Sequence, residues 1–160
     1  CFVSLQYIVV NNKINNDIFI VSGVAALMNT ICKSFRSQTV RAAKKVLIVD
    51  DSKFARNTLA LILTNQGYDV VGEAKNGIEA LHLFRLLRPD LVLLDINMPE
   101  MDGLETLRAI RLIDDRVKVI VVSSMDQEFL IKDALIVGAV GFVTKPIRRN
   151  MLVKMLANIN

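Results

Sequence analysis

From residue 44 onward, short unbroken apolar runs alternate with segments of helical periodicity. Val46-Leu47-Ile48-Val49, Leu91-Val92-Leu93-Leu94 and Val117 to Val122 are such runs, and Phe142-Val143-Thr144 is a shorter one. Runs of this length without polar alternation read as strands buried on both faces, as in parallel sheets. The pattern predicts strands over 45–50, 68–74, 91–95, 117–122 and 141–144. It predicts helices over 53–66, from Asn76-Gly77 to near Arg88, from Gly103 to Ile113, over 126–137 and over 148–157. Gly67, Pro89 and Gly138 mark the ends of three of them. Repeating βα units with short links imply right-handed crossovers and an α/β fold built on a doubly wound parallel sheet.

Each buried run closes on a polar residue. Asp50 and Asp51 follow the first, Asp95 the second, Ser123 the third and Lys145 the fourth. Parallel strands would deliver all of them to one edge, where open α/β sheets build their sites. Three close carboxylates raise one another's pKa and repel. A hard divalent cation removes that conflict, and an oxygen-only donor set suits Mg²⁺ or Mn²⁺. With the Lys145 ammonium, the charges then cancel. Phosphorylating one carboxylate adds roughly one negative charge, so the set is suited to holding an acyl phosphate.

Residues from about Lys44 to Asn160 resemble the receiver domain of bacterial two-component response regulators. The resemblance rests on the Asp50-Asp51 pair, Leu93-Leu94-Asp95-Ile96-Asn97-Met98-Pro99, Met101-Asp102-Gly103, Ser123-Ser124 and Lys145-Pro146. The separations of 44 residues from Asp51 to Asp95, 28 to Ser123 and 22 to Lys145 fit as well. It implies five helices, the flavodoxin-like strand order 2-1-3-4-5 and a cis Lys145-Pro146 bond. Asp95 would accept phosphate from a phosphohistidine on a histidine kinase or phosphotransfer protein. Asp51, Asp95 and the backbone carbonyl of Asn97 would contact Mg²⁺, with Asp50 acting through a water. Lys145 would pair with the phosphoryl group, Ser123 would swing toward it, and Phe142 would rotate inward behind it. Asp51-Ser52-Lys53-Phe54-Ala55-Arg56 and Val122-Ser123-Ser124-Met125 look closest to the single-domain, CheY-like chemotaxis group. That group implies a cytoplasmic monomer, not an enzyme beyond its own phosphotransfer and dephosphorylation. Its downstream protein would dock on the helix 4–strand 5–helix 5 face.

Other readings explain less. An Asp after a strand often caps the next helix, and Asp50 or Asp51 could cap the one near Lys53, but that leaves Asp95, Ser123 and Lys145 unexplained. A phosphohydrolase of the haloacid-dehalogenase type needs Asp-x-Asp after its first strand, and Asp50-Asp51-Ser52-Lys53 lacks that spacing. A receiver belonging to a longer transcription regulator stays open. His82, the only histidine, lies on a helix among Leu81, Leu83 and Phe84 and reads as structural. Met125 cannot orient an attacking water and is expected to shield the acyl phosphate.

Charge separates the chain into two parts. Residues 44–160 hold sixteen Lys and Arg against fifteen Asp and Glu, which leaves no electrostatic footprint for nucleic acid. Residues 1–43, read as a poorly structured or non-native extension, hold four basic residues against Asp17. Cys1 and Cys32 both fall there, so no disulfide framework is expected and a reducing cytoplasm suits the chain. The apolar stretch Ile18 to Met28 is shorter than the roughly 20 residues that a membrane helix needs. Met28 is expected as the natural start, and Met28 to Lys45 as a solvated basic arm. The alternative is an amphipathic helix using Val24, Leu27, Met28, Ile31 and Phe35.

Overall fold

A computed structural model describes residues 7–11, 18–22, 43–124 and 128–159. The chain divides into two units, Cys1–Ala42 and Ala43–Asn160. In the first, β1 (Tyr7–Asn11) and β2 (Ile18–Ser22) form an antiparallel pair, with Tyr7 opposite Ser22 and Asn11 opposite Ile18. No strand is expected here from the hydrophobic pattern, although Ile8-Val9-Val10 and Ile18-Phe19-Ile20-Val21 are of β-favouring types. Met28, Cys32 and the alternative amphipathic helix lie outside the described residues, as does Met125.

The second unit alternates strand and helix throughout. Its elements are β3 (Lys45–Val49), α1 (Lys53–Asn65), β4 (Asp69–Ala74), α2 (Gly77–Leu87), β5 (Leu91–Asp95) and α3 (Gly103–Ile113). They continue as β6 (Lys118–Ser124), α4 (Glu128–Val137), β7 (Gly141–Lys145) and α5 (Arg149–Asn158). All five strands pair in parallel in the order β4-β3-β5-β6-β7, the expected 2-1-3-4-5.

Alternation along the central strands divides the core between the two faces of the sheet. Leu47, Val49, Val92, Leu94, Val119 and Val121 pack with residues of α2, α3 and α4, among them Phe84, Leu107 and Ile131. Val46, Ile48, Leu91, Leu93, Ile120 and Val122 pack instead with Leu59 and Leu63 of α1 and Leu152 and Leu156 of α5. Both sets are buried, which is why these strands carry no polar alternation.

Local chemistry sets the helix ends. Ser52 is the N-cap of α1, its side chain accepting from the Ala55 N–H, so neither Asp50 nor Asp51 has that role. Asn76 and Asp102 cap α2 and α3 by accepting from the Glu79 and Glu105 N–H groups, each at 2.8 Å. Past the end of α1, Gly67 takes φ +79°, a left-handed conformation that suits glycine. Strand β6 runs to Ser124, beyond the predicted 122, because Thr144 and Lys145 of β7 continue the ladder opposite Ser123 and Ser124. Among the described residues, no helix is long and apolar enough to cross a membrane.

Candidate functional site

The strand order places β3 beside β5, with Val49 in register with Leu94, so the residues that follow them emerge side by side. Asp50, Asp51 and Asp95 each offer a carboxylate oxygen, and these lie within 4.8 Å of one another. Asp50 is fully buried and Asp95 nearly so, whereas Asp51 is exposed.

Each buried carboxylate is held by backbone on one side and by Lys145 on the other. Asp50 Oδ1 accepts from the Ser52 N–H at 2.9 Å, and Asp95 Oδ1 from the Asn97 N–H at 3.3 Å. Lys145 Nζ donates to Asp95 Oδ2 at 2.8 Å and lies 2.9 Å from Asp50 Oδ2. The second contact is an ion pair, not an aligned hydrogen bond, and leaves the buried Asp50 Oδ2 without a hydrogen-bond donor. The Lys145-Pro146 bond is cis.

Burial pushes the Asp95 carboxyl above its ordinary pKa. Lys145 pulls it down, the Asp50 charge adds to the rise, and the net shift is upward. Burial also acts against the Lys145 ammonium, but its contacts with Asp95 and Asp50 outweigh that and raise its pKa. One ammonium thus serves two buried carboxylates while a third carboxylate stands open beside them. The surplus negative charge and the oxygen-only donors both fit a hard divalent cation.

The remaining candidates take distinct places. Ser123 is fully buried, one residue beyond Val122, the register partner of Asp95. Phe142 is 41% exposed on β7, and Asn97 is exposed just after β5. His82 is exposed on α2 and outside the carboxylate group.

Close packing beneath Asp95 makes a demand that the sequence pattern did not reveal. The Gly103 N–H donates to the Ile96 carbonyl at 2.9 Å, bringing the start of α3 against the end of β5. A Cβ at Gly103 would sit 2.1 Å from the Asp95 carbonyl oxygen and 2.6 Å from Ile96 Cα. Arg56 was also missed as a participant. Its guanidinium reaches the carbonyls of Asp50 and Asp51 at 2.8 and 3.3 Å. Its place one turn into α1 was the available signal, but the other partner, Glu73, lies on β4.

The family model for the response regulator receiver domain matches residues 46–157. Chemotaxis protein CheY of Thermotoga maritima is 43% identical over 117 residues, covering 73% of this chain and 98% of that protein. The protein-glutamate methylesterase/protein-glutamine glutaminase of Archaeoglobus fulgidus is 47% identical over 104 residues, 64% of this chain but 30% of that protein. Among solved structures, the CheX-CheY-BeF3-Mg complex of Borrelia burgdorferi matches with a TM-score of 0.69 and 37% identity. That match covers 72% of this chain and 88% of the solved one.

Proposed function

The chain belongs to the response regulator receiver domain family, and from that premise we propose that it carries a phosphoryl group on Asp95. An ionised Asp95 oxygen attacks the phosphorus of a phosphohistidine on a histidine kinase or phosphotransfer protein. The P–O bond forms as the P–N bond breaks, and the imidazole leaves with the electron pair. What carries this reading is the placement of Lys145 within 2.9 Å of both buried carboxylates while Asp51 stands open beside them.

Asp51, Asp95 and the Asn97 carbonyl are the residues that would hold Mg²⁺ or Mn²⁺, with Asp50 supporting them through a water. When bound, the cation supplies positive charge that offsets the crowded carboxylates and phosphoryl oxygens. Lys145, released from Asp95, pairs with a phosphoryl oxygen. The Ser123 hydroxyl donates to another, and Phe142 leaves solvent to fill the space behind it. That rotation changes the surface formed by α4, β7 and α5, where a downstream protein docks. The chain acts as a monomeric, cytoplasmic signalling module of the chemotaxis type. It turns over no external substrate beyond gaining and losing its own phosphate.

Labelling with acetyl phosphate and Mg²⁺ tests the assignment. The parent retains one phosphate per chain and Asp95→Asn retains none. Full incorporation by the Asn variant, or repeated turnover of a generic phosphate ester by the parent, would refute the reading. A second reading, a receiver joined to a further domain, is favoured by the Archaeoglobus relative, of which the match covers 30%. The complete reading frame of the gene decides between them.

A further inference from the structure

Arg56 makes contacts that no step above uses. From α1, its Nε pairs with Glu73 Oε2 at 2.9 Å. A second nitrogen donates to the backbone carbonyls of Asp50 and Asp51, at 2.8 and 3.3 Å. The guanidinium is largely buried, with 15% of the side chain exposed. A planar fork of donors can satisfy a carboxylate and two carbonyls at once, which an ammonium does poorly.

The partner carboxylate reaches this place through an irregularity in β4. Register runs from Val46–Val70 to Leu47–Gly72, so Val71 is left over as a bulge. A bulge of one residue exchanges the faces on which later side chains project. Val70 packs with the α1 side of the core and Ala74 with the opposite side. A Cβ on Gly72 would meet Leu87 Cδ1 at 2.6 Å and Leu47 Cδ1 at 3.3 Å, on the α2 side. Glu73 therefore projects on the α1 side, three residues after Val70, where regular alternation would have sent it to the other face. Edge-strand bulges beside sites commonly re-aim one side chain in this way.

We propose that Arg56, anchored by the re-aimed Glu73, is a positioning residue for divalent-cation binding, because it fixes the backbone that presents Asp50 and Asp51. Asp51 is exposed, and its carboxylate makes no hydrogen bond or ion pair among the described residues, so its direction depends on this backbone. The inference rests on the cation-site reading given above. Charge and positioning predict opposite signs for loss of Arg56. Removing a cation near a Mg²⁺ site strengthens metal binding by Coulomb's law. Removing a support for the ligand loop weakens it, by roughly 10-fold or more for comparable outer contacts.

The test is calorimetric titration of the full chain with Mg²⁺ alone, without phosphoryl donor. Arg56→Met is expected to raise the dissociation constant about 10-fold. Glu73→Ala should raise it severalfold, and the double variant should be no weaker than Arg56→Met, since the two side chains act as a unit. An unchanged or tighter Mg²⁺ affinity in Arg56→Met would overturn the proposal, and so would full additivity in the double variant. If Arg56→Met fails to fold, Arg56→Lys decides: it keeps the charge but loses the planar fork, so a weaker Mg²⁺ affinity supports the positioning role and an unchanged one overturns it. Asp51→Asn separates the two levels. Parent-like Mg²⁺ binding by that variant removes the cation site itself, whereas its loss together with an indifferent Arg56→Met removes only the positioning role.

Discussion

Adding one methyl group at Gly103 should damage both stability and the site. The new Cβ would lie 2.1 Å from the Asp95 carbonyl oxygen, whereas ordinary contact begins at 3.4 Å, so α3 must retreat by about 1.3 Å. The obstruction is backbone on a buried strand, which cannot rotate aside as a side chain would. Overpacking of this kind costs about 1–3 kcal/mol. Retreat also stretches the 2.9 Å bond from the Gly103 N–H to the Ile96 carbonyl, worth about 1 kcal/mol. Against this, replacing Gly with Ala stiffens the unfolded chain and returns about 0.4–1 kcal/mol. The net loss is about 2 kcal/mol, a fall in Tm of about 8 °C for a domain of this size. Thermal melts followed by circular dichroism give the first reading, and acetyl phosphate labelling the second. Labelling should slow, because the displaced carbonyl belongs to Asp95, the proposed phosphate acceptor. Gly67→Ala is the control. It meets nothing within 4 Å but must hold φ +79°, costing about 1–2 kcal/mol without touching the site. A Gly103→Ala protein that melts no lower than the parent and labels normally would refute this packing argument.

Two further outcomes follow from polar groups, one buried and one partly buried. The folded chain holds the Asp95 proton more tightly than the unfolded chain, since its folded pKa is raised above 3.8. Ionised Asp95 therefore costs stability above the folded pKa, and that cost vanishes as pH falls through the folded pKa toward 3.8. Without metal, Asp95→Asn should melt above the parent at neutral pH, with the difference narrowing through that acidic window; a widening difference contradicts the argument. Arg111 donates to the carbonyls of Val117 and Gly138, both at 2.8 Å, tying the segment before β6 to the end of α4. Arg111→Met should lower stability by about 2–3 kcal/mol, seen as a lower urea midpoint with unchanged slope and normal labelling. An unchanged midpoint would show that water replaces both bonds at no cost.

The sequence by itself determined the alternation of elements and the rim that carries the chemistry. Burial on both faces writes itself as an unbroken apolar run, so β3, β5 and β6 were visible, and the polar residue closing each run marked its carboxyl end. Helix starts were legible for a similar local reason, since Asn76 and Asp102 stand within three residues of the amides they cap. Only the tertiary structure decided how deeply each rim residue sits. Asp50 and Asp51 are adjacent and chemically identical, yet one is fully buried against Lys145 and the other is open. Periodicity reports the face an element hides, and says nothing about which neighbour covers the position just past its end. The Arg56–Glu73 pair was hidden for the same reason. It spans 17 residues and depends on the bulge at Val71, which shifts register without altering composition. Register along an edge strand is settled by packing against both neighbouring layers at once, and that information exists only when the layers have come together.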